Sequence, residues 1–208
     1  MRKFLTIILF LACLTTAAET IYAADLPRRN ATNVDDVFQP YTAKEWIVSP
    51  DEEPVEDQSV TNAHECDIYA VISCNDPDYL RVDILLENEI SFEWDIFYAV
   101  KFEYDIMNEF YTFFVDSGKL VYEKEQNGKI VQTKILTKEN SKDYAGLTDS
   151  EGLNNSDVYF IIDKKAHING EIGKRYFLTC TFYSGYVNEN SKLMIADETI
   201  KVNLEFEY

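Results

Sequence analysis

Chemistry requires reactive side chains at a usable spacing, and this chain offers few. Its two histidines, His64 and His167, stand far apart. There is no HExxH, no GxSxG, no glycine-rich phosphate loop and no CxxC, so histidine, metal-hydrolase and phosphoryl-transfer chemistry have no motif to rest on. His64 stands near Cys66, but two potential ligands beside an acidic run do not make a transition-metal site. Carboxylates are abundant, so pairs at glycosidase-like separations arise by chance. No enzyme is expected.

Two constellations point to binding. Asp76 and Asp78, Asp105 and Asp116 fall in breaks between apolar runs, where oxygen ligands could converge on calcium; the same side chains also bond their own backbone in turns. Aromatic residues make up 14% of the chain, and several lie at strand ends or off the main apolar stripe. Trp94, Tyr111 and Tyr183 are the candidate ligand-binding rings: a ring stacks on a sugar face while a neighbouring acid bonds hydroxyls.

The elements that must carry these residues read as strands. Asp67 to Leu86 holds two apolar runs around Asn75, Asp76, Pro77 and Asp78. Ile68, Ala70 and Ile72 alternate with their neighbours in the first, and Leu80, Val82, Ile84 and Leu86 in the second. A period of two with a proline break predicts a strand–turn–strand unit with one buried face. The same pattern predicts strands over 94–104, 110–115, 119–125, 129–136, 157–163, 174–184 and 199–208, with a short one at 44–48. Asn127-Gly128 is a strong hairpin signal, since both residues tolerate positive φ. Residues 137–156 form the longest expected loop, 164–173 a turn with one helical turn, and a polar loop runs to Lys192. With no long helix, the chain reads as all-β: an antiparallel β-sandwich of eight or nine strands, jelly-roll or Ig-like in topology.

Cys66 and Cys74 cannot pair across one extended strand, because eight steps of ~3.3 Å separate them by ~26 Å against the ~7 Å a bridge needs. Their parity with Ile68 turns both toward the core, as the parity of Cys180 with Leu178 and Phe182 does. Either Cys180 bridges to Cys66 or Cys74, or three thiols stay buried and free.

Residues 1–24 have Arg2 and Lys3, an uncharged run from Phe4 to Ala18 and small residues at Ala23 and Ala24. This is a signal-peptide pattern, too short for a bilayer span, and it predicts an exported chain: secreted, periplasmic or at the cell surface. Lipid attachment at Cys13 is the lesser alternative, and no transmembrane helix is expected in the mature chain. Residues 25–63 hold most of the prolines and the acidic cluster Asp51 to Asp57, and read as a leader anchored by Trp46; residues 64–208 form the sandwich domain. Asn30 and Asn154 begin glycosylation sequons, relevant in a eukaryotic source.

The net charge is -18, and removal of 1–24 takes 19 basic and 37 acidic residues to 17 and 36, or -19. Such a surface repels phosphate backbones, so no nucleic acid is expected as partner. Neutral sugars, calcium or a basic protein are compatible.

DIYAVIS at 67–73, YLRVDILLENEI at 79–90, IFYAVKFEYD at 96–105, VYFIIDKKAHI at 158–168, KRYFLTCTFY at 174–183 and IADET at 195–199 follow one another in an order that resembles the DOMON-like and family 9 carbohydrate-binding sandwiches. The resemblance implies carbohydrate or haem binding. Haem would need axial ligands from Met107, Met194, His64 or His167. The leading expectation is an exported, non-catalytic binding module for carbohydrate; the alternative is a surface or periplasmic protein-interaction domain with a basic partner.

Overall fold

A computed structural model describes residues 45–49, 66–75, 78–87, 90, 95–103, 107–147, 157–167 and 175–207. The expected signal peptide, Cys13, most of the leader, His64, both sequons, Asp76, Trp94 and Asp105 lie outside them, as does the Trp46 side chain. Among the described residues are twelve strands: β1 (Glu45–Val48), β2 (Ile68–Asn75), β3 (Tyr79–Leu86), β4 (Ile96–Glu103), β5 (Met107–Phe114), β6 (Lys119–Gln126), β7 (Lys129–Leu136), β8 (Tyr144–Leu147), β9 (Asp157–Asp163), β10 (Arg175–Val187), β11 (Leu193–Glu198) and β12 (Val202–Glu207). One helical turn, α1 (Lys164–His167), follows β9.

The strands form two antiparallel sheets. One runs β1-β2-β3-β9-β8; the other runs β11-β10-β4-β5-β6-β7, with β12 also on β10. The chain builds three strands of the first sheet, crosses for the β4 to β7 meander, returns for β8 and β9, and crosses again. These returns set β9 beside β3 and β10 beside β4. The all-β antiparallel sandwich is therefore what the alternation predicts.

One core fills the space between the sheets. Ile68, Leu80, Val82, Ile84 and Phe160 on one side meet Tyr98, Val100, Tyr111, Phe182 and Leu204 on the other. Burying an aliphatic side chain of this kind stabilises by ~1.5–3 kcal/mol. Turn chemistry agrees with the sequence: Asn127 and Gly128 have φ of 52° and 73°, and Gly118 closes the β5–β6 turn at 63°.

Three expectations are corrected. The twelve strands of the described residues exceed eight or nine: the short strand expected at 44–48 is present as β1, and β8 and β11 form where no alternation announces them. β8 lies inside the supposed 137–156 loop; its sequence YAGL is too short and small-residued to show a period, yet it pairs with β9. β11 pairs with the far end of β10, which continues three residues beyond Ser184. The second correction is parity in β2. An irregularity between Ile68 and Ala70 shifts the register, so Val71 enters the main core, whereas Cys74 packs on the outer face with Tyr159 and Ile161. Cys66 and Cys180 do face the core, and all three cysteines are buried with none in a disulfide. Third, Tyr111, expected at a ligand surface, is a core residue.

Candidate functional site

The outer face of the seven-stranded sheet collects the polar and aromatic side chains. Its rows follow from pairing. Tyr183, Ala99, Thr112, Val121 and Ile135 lie side by side across five strands. Thr181, Lys101, Phe110, Glu123 and Thr133 form the next row, and Thr179, Glu103, Asn108 and Glu125 the one after. Phe177 extends the face along β10, six residues from Tyr183, or ~20 Å of strand.

Along β10, Leu178, Cys180 and Phe182 fill the core while Phe177, Thr179, Thr181 and Tyr183 share the outer side. Phe177 is 68% exposed. On β5 the alternation sends Tyr111 and Phe113 inward and leaves Phe110 and Phe114 outward, both half-buried. Phe114 packs on Phe97 with centroids 6.2 Å apart. The aromatic side of the face thus spans β10, β4 and β5.

Charges interleave with these rings. Lys101 bonds Glu103 on its own strand, and its Nζ stands 5.7 Å from the Phe110 ring centroid. Lys201 Nζ donates to the other Glu103 oxygen at 2.6 Å. Burial raises the Glu103 pKa, but the Lys101 and Lys201 hydrogen bonds outweigh it and leave the group below its usual value. Glu103 is therefore a fixed acceptor with its charge compensated. Asn108 Nδ2 donates to Glu125 at 2.8 Å, and Thr179 Oγ1 to Asn203 Oδ1 at 3.0 Å. Burial, and then the Glu198 carboxylate, push the Tyr183 phenol upward, so it stays a neutral O–H. Glu123 is only 2% exposed; burial raises its carboxyl to about 8, against the pull of the Thr133 hydroxyl at 2.8 Å.

No family model, DOMON-like or otherwise, matches the chain, and no curated protein matches it in sequence. A solved structure from Bacteroides uniformis, described as "a putative carbohydrate-binding protein", is similar over 79% of this chain and 86% of that one, at 10% identity and a TM-score of 0.44.

Of the candidate rings, Tyr183 is on this face and Trp94 lies outside the described residues. Tyr111 is fully buried between Phe102 and Tyr122, with centroids 5.9 and 5.2 Å away, so it cannot touch a ligand in this fold. Its neighbour Phe110 is the outward ring. Asp78 precedes β3 in one sheet and Asp116 sits in the β5–β6 turn of the other, while Asp76 and Asp105 lie outside the described residues; among the described residues no three metal-ligating side chains gather. Sequence reasoning missed Phe177, Phe110, Phe114, Lys101 and Glu103. The signal was present: each has the parity opposite to a core stripe.

On the outer face of the other sheet, the side chains around Tyr159 pack on one another. Arg81 Nη2 lies 2.7 Å from Asp83 Oδ1, the guanidinium is 5.4 Å from the Tyr159 centroid, and Tyr144 packs edge-on against Tyr159. These groups are spent on one another.

Proposed function

We propose that the protein is an exported, non-catalytic binding module that holds carbohydrate on the outer face of the seven-stranded sheet. The observation that carries the reading is Phe177. This ring is 68% exposed, on a strand whose next outward ring is Tyr183 and on the same face as Phe110 and Phe114, so its packing on the described residues is slight. Rings on one open face stack on the apolar sides of sugar rings, and Glu103, Lys101 and Asn108 beside them bond hydroxyls. The charge-compensated Glu103 suits acceptance of hydrogen bonds rather than proton transfer. Burial raises the Cys180 thiol to about 12, which removes it as a nucleophile at neutral pH. The signal-peptide pattern of residues 1–24 supports export.

A glycan array with the mature chain tests this, followed by calorimetry on the best ligand. Phe177→Ala weakens sugar binding about tenfold or more, a loss of ~1.4 kcal/mol, with unchanged thermal unfolding. Silence on every glycan, with capture of a basic protein instead, overturns the reading in favour of a protein-interaction domain.

A further inference from the structure

The connection between β7 and β8 crosses from one sheet to the other and walls a cleft of ≈ 420 Å³. That volume is in the range of small-ligand sites. Tyr122 and Leu136 line it from the sheet, and Lys134, Lys138 and Lys142 border it. The wall is built, not loose. Asn140 Oδ1 accepts from the Thr137 amide at 2.9 Å and its Nδ2 donates to the Ile135 carbonyl at 2.9 Å. Asp143 Oδ1 accepts from the Asp163 amide at 2.7 Å and Oδ2 from the Ser141 hydroxyl at 2.9 Å.

These bonds divide the lining charges into committed and uncommitted groups. Both Asp143 oxygens are engaged, and Glu139 takes a hydrogen bond from the Thr137 hydroxyl. Lys138 interacts electrostatically with Glu139, whereas among the described residues no ion pair involves Lys134 or Lys142. The location matters too. Lys119, Lys124, Lys129, Lys134, Lys138 and Lys142 outnumber the acids of the same stretch, in a chain of net charge -18. Glu139, Asp143 and Asp163 line the cleft as well, so its charges are mixed, with Lys134 and Lys142 the basic groups left over for a ligand's negative group.

We propose that this cleft is an anion-binding site that takes the carboxylate or sulfate group of a small ligand on Lys134 and Lys142. It is separate from the sugar face, because Lys134 pairs with the inward-facing Tyr122 and so lies on the opposite side of β7 from Thr133. The inference stands or falls independently of the sugar reading.

Calorimetric titration of the full chain with glucuronate, glucose 6-sulfate and glucose tests it at low salt. The anions bind with Kd of ~1 mM or tighter, more weakly as salt rises, and glucose does not reproduce their binding. Lys134→Gln with Lys142→Gln weakens them about tenfold while thermal unfolding is unchanged, and Phe177→Ala leaves them unaffected. Binding of only one anion supports the site and identifies its source chemistry. Equal titration by glucose, full anion affinity in the double variant, or no binding by either anion overturns the proposal.

Discussion

Asp197 reaches from β11 across the sandwich, and its Oδ2 accepts the backbone N–H of Ile68 at 2.8 Å, while Oδ1 accepts the Glu198 amide at 2.7 Å. One carboxylate thus ties the start of β2 to the opposite sheet. Beside it the Ser184 hydroxyl donates to the Cys66 carbonyl, so the two sheets are joined by directed bonds where the chain enters the core.

Asp197 is 4% exposed, so its loss strands a buried donor rather than exchanging it for water. Asp197→Ala lowers stability by ~2–4 kcal/mol, read as an earlier urea midpoint. Asp197→Asn keeps an acceptor and loses less. Equal midpoints for parent and Asp197→Ala contradict this role.

Glu123 makes stability depend on pH. Between its ordinary value of 4.5 and the folded value of about 8, the folded chain holds a proton that the unfolded chain has released. The contribution is therefore fully present below pH 4.5 and declines as pH rises through that window. Thr133 and Phe110 flank the carboxyl in its row, Lys101 stands one strand further across, and Glu125 is the next outward group on its strand. Glu123→Gln is expected to be stabilising at about pH 9 and near-neutral at about pH 5 in chemical denaturation. A parallel pH profile in parent and variant would remove Glu123 as the cause.

Gly185 marks the shift in β10–β11 register after Ser184. An added Cβ there would run into the Met194 carbonyl oxygen and stand 2.7 Å from the Phe97 ring. The carbonyl is backbone and cannot swing away, so β11 must move. Gly185→Ala costs ~2 kcal/mol or more and speeds hydrogen exchange in β11, including the strand that carries Asp197. Normal exchange in the variant would show that β11 accommodates the methyl.

Alternation along Leu80–Leu86, Tyr98–Phe102 and Leu178–Phe182 is a property of the chain itself, because successive side chains of an extended backbone point to opposite sides. That sufficed for the all-β class, for most strand positions and for the hairpin at Asn127-Gly128. On β5 the alternation separates Phe110 and Tyr111 onto opposite faces, but both are aromatic, and which of them meets solvent is decided by the register against β4 and β6. A single irregularity after Ile68 turned Cys74 to the outside, and no local residue type announces it. β8 and β11 hold their shape through hydrogen bonds to β9 and β10 rather than through a hydrophobic period of their own. The cleft beside Lys138 is further still from the sequence, since a distant β9 donates Asp163 to the loop that encloses it. Local periodicity fixes what each segment can form; pairing between segments distant in the chain decides which side chains share a surface.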